Sequence, residues 1–261
     1  MLKKSLQKKL RLKLVNIAAK TKSAHPHLGS CLSCFDIMIQ TLLYEMSSRD
    51  KFILSKGHAA LTLYVLLNYQ GKLSNSILAN YFKDGTDLGI HPPSTMKKEI
   101  PLATGSLGHG LSFSAGLALA YKLKKTTNPP RVYCLMSDGE CNEGAVWEAA
   151  LFARHHKLHN LIVMIDKNGV QAFGRTRDVM GDAATLEKWN AFGFTVITCD
   201  GHNLNSLEQA FRIVKKTRDT KPFVLICNTK RAKGIRSLED TLQSNYVITD
   251  KKIVAEAHAN Y

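Results

Sequence analysis

Residues 131–169 read RVYCLMSDGECNEGAVWEAALFARHHKLHNLIVMIDKNG. The stretch opens on a short apolar run, 131–136, and closes on a second, 160–166, whose LIVMI core is continuous rather than alternating. A continuous apolar run of that length is the pattern of a strand buried on both faces, as parallel strands are. Between the two runs, 145–157 has helical apolar spacing, so the stretch predicts a strand–helix–strand unit. Both strands end in small polar residues: Ser137-Asp138-Gly139-Glu140 after the first and Asp166-Lys167-Asn168-Gly169 after the second. Turns favour such residues on their own account. That preference does not explain why a carboxylate and a carboxamide fall at neighbouring strand mouths, where open parallel sheets bind their ligands.

The alternation continues downstream with a strand over 194–199, a helix over 204–216 and a strand over 223–227, and the third mouth reads Asp200-Gly201-His202-Asn203. Upstream, the spacing predicts helices over 6–19, 33–44, 59–69 and 107–123, the last so rich in Ala, Gly and Ser that it must pack closely on its neighbours. The expected fold is α/β, a parallel sheet flanked by helices, built as a single domain over 1–261. A hydrophobic content of 44% supplies a sizeable core. No apolar run approaches the ~20 residues of a membrane helix.

The net charge is +15, from 36 basic and 21 acidic residues. The basic residues are scattered, with clusters over 3–22, 122–125, 215–218 and 230–236, and no aromatic-interleaved RNA motif accompanies them. A solvated basic surface is expected rather than a nucleic-acid interface, one suited to phosphorylated substrates or an acidic partner chain. Residues 1–22 carry eight Lys/Arg and no acid but lack the apolar centre of a secretory signal. Cys31 and Cys34 form a lone CxxC without the second pair a zinc site requires. Free thiols in a reducing compartment, the cytoplasm, are expected.

Asp138 and Asn168 are hard oxygen ligands for Mg²⁺ or Ca²⁺, and a backbone carbonyl just beyond, such as that of Val170, can add a third. Gly139 lets the backbone approach a phosphate, and the helix start near Glu143–Val146 offers unpaired N–H groups to an anion. Three histidines lie in Gly- or Pro-bearing loops: His25 in SAHPHLGS, His58 in SKGHAAL and His91 in GIHPPS. Together they suggest a site for a polar, phosphorylated or hydroxylated substrate. The loop Thr104-Gly105-Ser106-Leu107-Gly108-His109-Gly110 either cradles phosphate or caps the long helix.

With these motifs in place, the chain resembles the N-terminal, diphosphate-binding domain of transketolase. The cofactor motif of thiamine diphosphate enzymes begins GDG and ends in Asn about thirty residues on; here it reads SDG, with Asn168 30 residues after Asp138. The likeness extends to SAHPHLGS, FILSKGHAALTLY, GIHPP, ATGSLGHGLSFSAGLALA and DGHNLNSLEQAF and covers roughly 5–240. It implies the thiamine diphosphate-binding fold, with thiamine diphosphate and Mg²⁺ or Ca²⁺ as cofactors. Asp138, Asn168 and the Val170 carbonyl would hold the metal, and Gly139 would meet the diphosphate. His58, Gly105 and Leu107 would contact the cofactor. His25, His58 and His91 would line the substrate channel and assist proton transfer. Glu143 would match a buried glutamate of the proton network between paired sites. The implied activity is transfer of a two-carbon ketol unit from a ketose or ketose phosphate to an aldose.

The resemblance also implies a partner. Transketolases of one chain are more than twice this length, and the pyrimidine-binding domain with its activating glutamate has no counterpart in this sequence. A second subunit carrying the pyrimidine-binding and C-terminal domains is therefore expected, in a two-plus-two assembly that is inactive without it. The family's SGHPG is SAHPH here, LGQG is LGHG, and Ser244-Asn245 stands where the family has Trp-His. Competing readings are the α subunit of a 2-oxo acid dehydrogenase, a deoxyxylulose phosphate synthase, a degenerate family member that only binds a partner, and a basic nucleic-acid-binding protein supported by charge alone.

Overall fold

Apolar residues alternate between the two faces of every inner strand, and both faces are dry. In the computed structural model, which describes the chain except residues 1, 22–25, 125–127 and 218–219, five strands form one sheet. They are β1 (Lys51–Leu54), β2 (Val132–Ser137), β3 (Leu161–Lys167), β4 (Thr195–Asp200) and β5 (Phe223–Asn228). Their order is β1-β2-β3-β5-β4, and every neighbouring pair is parallel. Along β3, Leu161, Val163 and Ile165 enter one core and Ile162 and Met164 the other. Each such side chain contributes roughly 1.5–3 kcal/mol by leaving water.

One face is covered by α1 (Leu2–Ala18), α2 (Leu28–Ser33), α3 (Phe35–Ile39), α4 (Ala60–Tyr69) and α5 (Asn75–Ala79). The other carries α6 (His109–Leu123), α7 (Gly144–His155) and, beyond the short α8 (Thr176–Val179), α9 (Leu186–Ala191). The first face is completed by α10 (Leu204–Lys216) and α11 (Lys251–Asn260). Helix starts follow their caps: Ser74, Thr185, Asn203 and Asp250 each accept a backbone N–H of the helix they open.

The α/β sheet and four of its strands agree with the sequence-based expectation. β1 is an addition: only four residues long and opening on Lys51, it lacks a period to read. The helix expected over 33–44 is instead broken, because Cys34 leaves helical geometry (φ −89°, ψ 4°) between α2 and α3 and the chain then runs into a π-helical turn, Gln40–Glu45. The small residues of α6 do permit close approach. A Cβ on Gly110 would stand 2.3 Å from Ser55 Oγ, so only glycine lets α6 start directly over the β1 mouth. All six cysteines are free and buried; burial raises the Cys31 thiol to about 11 and pushes Cys34 higher still, and neither is a reactive thiolate.

Candidate active site

Beyond the carboxyl ends of β1, β2, β3 and β5, His58, Gly139, Asn168, Val170 and Arg231 line one cleft of about 470 Å³. His27, His91, Gly105, Leu107 and Glu143 also line it, and Asp138, 1% exposed and adjacent to Gly139, borders a neighbouring cavity of about 380 Å³ with Lys167, Gly169, Arg175 and Thr176. A larger cleft, ≈ 780 Å³, lies between α1 and the β4–α10 turn and contains none of the expected site residues. The third strand mouth goes there: His202 Nδ1 meets Asp36 at 3.0 Å and its Nε2 accepts from the Lys230 N–H at 2.8 Å, which ties β4 to the helical layer.

Asp138 is held on one side only. Its Oδ2 accepts from the Gly169 N–H (2.8 Å) and the Thr176 hydroxyl (2.9 Å), while Oδ1 is buried without a donor. Burial, reinforced by the Asp166 charge, raises its pKa to about 6. Asn168 is oriented from behind: its Nδ2 donates to Asp166 Oδ2 (3.3 Å) and Ser33 Oγ (3.4 Å), and its Oδ1 accepts from the Val170 N–H (3.1 Å). Behind Asn168, Asp166 forms an ion pair with Lys56 at 0% exposure of both side chains, and Ser33 and Thr229 hydroxyls donate to the same carboxylate. Burial pushes that carboxyl up; the Lys56 ammonium and the donors outweigh it and hold it below the usual carboxylate range.

An unsatisfied carboxylate oxygen in this setting is costly without a counter-charge. The oxygens of Asp138, Asn168 and Val170 are the ligand type that a hard divalent cation takes, so the residues fit the expected metal. Among the described residues no three His, Cys, Asp or Glu side chains are grouped to hold a metal by themselves. A metal held here must draw remaining ligands from a bound anion or from water. Gly139 leaves the approach open: a Cβ there would press on Gln171 at 3.1 Å.

The histidines converge from separate loops. His25 lies outside the described residues. Among the described residues the histidine of that stretch in the cleft is His27, whose ring is centred 5.8 Å from His58 and 6.2 Å from His91. It starts α2 with a left-handed backbone (φ 48°). Burial, then the Lys56, His27, Arg231 and His91 charges, push the His58 pKa well below the usual imidazole range, so His58 is neutral at pH 7. Burial lowers His91 as well, although its side chain remains exposed.

Glu143 borders the cleft and is exposed in this single chain, at the start of α7. Glu140, an acid that looks like a solvated turn residue in the sequence, is the buried one. It accepts from Ser55 Oγ (2.6 Å), the Gly108 N–H (2.9 Å) and the Ser137 N–H (2.9 Å). It thereby locks the Gly105–Leu107 loop to the β1 and β2 mouths. Arg231, Asn245 and Ser30, from three separate stretches of sequence, form a further group: Asn245 Oδ1 accepts from the Ser30 N–H (3.2 Å) and Arg231 Nε (3.3 Å).

Residues 2–247 match the family model described as transketolase, thiamine diphosphate binding domain. An apulose-4-phosphate transketolase subunit from Phocaeicola vulgatus is 36% identical over 88% of this chain and 83% of its own length. The 6-deoxy-6-sulfo-D-fructose transketolase subunit SqwG of a Clostridium species is 33% identical over 88% of this chain and 87% of its own. Human transketolase is 36% identical over 88% of this chain but only 37% of its own length. The solved transketolase of Leishmania mexicana superposes with a TM-score of 0.87 at 25% identity, covering 98% of this chain and 40% of that one. The chain thus spans about two fifths of these single-chain transketolases and most of the length of the two transketolase subunits. It belongs to the transketolase family and carries that family's thiamine diphosphate-binding domain.

Proposed function

We propose that this chain is the diphosphate-binding subunit of a two-chain transketolase. It transfers a two-carbon ketol unit from a ketose or ketose phosphate to an aldose, and turns over only with a second subunit that carries the pyrimidine-binding and C-terminal domains. The observation that carries the reading is the convergence of Gly139, Asn168, Val170, His58 and His91 on one cleft, with the buried, donorless Oδ1 of Asp138 next to Gly139. The relatives matched along most of their own length are themselves named as transketolase subunits, which supports the two-chain form. A two-plus-two assembly suits a site divided between chains. Six free, buried thiols suit a reducing compartment, the cytoplasm. Among the described residues no helix is long and apolar enough to cross a membrane.

Thiamine diphosphate, when bound, supplies a stabilised carbanion for breaking and making the carbon–carbon bond. Asp138 Oδ1, Asn168 Oδ1 and the Val170 carbonyl hold Mg²⁺ or Ca²⁺. Gly139 and the first N–H groups of α7 receive the diphosphate. Gly105 and Leu107, positioned through Glu140, meet the rest of the cofactor. His58, neutral at pH 7, accepts a proton from a sugar hydroxyl through a ring nitrogen, His25 assists proton transfer, and His27 stands beside His58. His91 orients the sugar. Glu143, exposed here, becomes buried against a neighbouring chain of the assembly.

The test is to assay glycolaldehyde transfer from ketose phosphates, and decarboxylation of pyruvate, with cofactor and Mg²⁺. The chain alone should be inactive, and adding the partner chain should restore ketol transfer only. Full turnover by the chain alone, or decarboxylation without transfer, would sink the proposal.

A further inference from the structure

Four ionised groups meet behind the β2 and β3 mouths: Asp138, Asp166, Lys56 and Arg231. Asp166 is taken by Lys56 in the buried ion pair, which leaves Asp138 and Arg231. Arg231 is 2% exposed and every acceptor of its guanidinium is neutral. Nε donates to Asn245 Oδ1 (3.3 Å), Nη2 to Ser30 Oγ (3.4 Å), and Nη1 to the backbone carbonyls of Val170 (3.2 Å) and Gln171 (3.3 Å). Among the described residues no carboxylate forms an ion pair with it. A buried cation without an anionic partner therefore rests on the Val170 carbonyl, one of the expected metal ligands, and Asp138 is the expected metal ligand that carries a charge.

Charge decides what such a site admits. With Lys56 and Arg231 set against Asp138 and Asp166, the four groups sum to zero. A bare divalent cation would leave two uncompensated positive charges in a low-dielectric cleft and would share the Val170 carbonyl with a guanidinium. A diphosphate reverses that balance, because its oxygens neutralise the metal and offer Arg231 an anionic partner.

On the reading that this cleft takes a metal–diphosphate, we infer that Arg231 makes metal entry conditional on the diphosphate. Asn245 and Ser30 hold the guanidinium over the Val170 carbonyl, so it disfavours the metal alone and favours the metal together with the anion. Arg231 is thus a positioning residue that couples the two ligands, and coupling of binding is reciprocal. Asn245, where the family carries a histidine, serves this chain as the anchor of that arginine.

The experiment measures Mn²⁺ binding to the full chain by the free-ion EPR signal, and binding of the Mg²⁺–thiamine diphosphate complex by calorimetry. Wild type, R231M, R231K and N245A are compared, with thermal unfolding of each recorded. R231M should bind Mn²⁺ alone about 10-fold more tightly than wild type and the metal–diphosphate complex about 10-fold more weakly. R231K, which keeps the charge, should follow wild type, and N245A should shift in the direction of R231M. Shifts of opposite sign separate coupling from damage, since a misfolded variant loses both. Unchanged Mn²⁺ affinity in R231M, or a shift of both affinities in one direction, overturns the inference while leaving the site reading intact. If no variant and no wild-type chain binds the metal–diphosphate complex, the site reading falls and the inference with it.

Discussion

The two ends of the cleft are built differently. At the β2–β3 mouths, Asp138, Asp166 and Lys56 are buried, and their partners come from β3, from the residues just past β1 and β5, and from α2 and α8. At the histidine end, His91, Gly105 and Glu143 lie exposed on loops, and Phe173 and Met180, which line the same cleft, show 91% and 70% of their surfaces to solvent. Strands hold charged groups within tight limits before any ligand arrives, which is what a metal and a diphosphate need. Loops with apolar residues left uncovered suit a surface that another chain completes.

Breaking the first end should cost most. D138A should lower ketol transfer of the assembled enzyme about 1000-fold, several kcal/mol of lost electrostatic stabilisation, in steady-state assays at saturating cofactor. K56M strands the Asp166 carboxylate and should destabilise the chain by about 3–5 kcal/mol in urea titration. At the other end, H27A should lower kcat about 100-fold, because His27 is the ring beside His58. D138N should sharpen the contrast through pH. The Asp138 pKa is raised from 3.8 to about 6, so between those values the folded chain binds the extra proton and stability falls as pH rises. The penalty is complete above about 6 and gone below about 3.8, and D138N should remove this slope from a series of unfolding midpoints. The smallest effect should be that of F173S, which leaves the isolated chain's stability within about 0.5 kcal/mol but weakens capture of the partner chain in a pull-down titration.

The first end is more legible in the sequence than the second, for the same physical reason. β2 and β3 are continuous apolar runs, and the residues after them, Asp138 and Asn168, sit where parallel strands present ligands, so pattern and position coincide. The support behind them is hidden: Lys56 meets Asp166 across 110 residues of sequence, and Ser55 meets Glu140 across 85. No local pattern carries pairings of that range. β1 escapes notice because four residues carry no period, and Glu140 because an acid after Asp-Gly looks like a solvated turn. His27 shares its loop motif with His25, and only the start of α2 shows that the His27 ring enters the cleft.

The central claim is that this chain alone holds the diphosphate end of the cofactor and not the other. Calorimetry of the purified chain with Mg²⁺ and either inorganic diphosphate or unphosphorylated thiamine tests it directly. The account predicts saturable binding of Mg²⁺–diphosphate that D138A abolishes, and no binding of thiamine until the partner chain is added. Thiamine binding to the chain alone, or Mg²⁺–diphosphate binding only in the partner's presence, would contradict it.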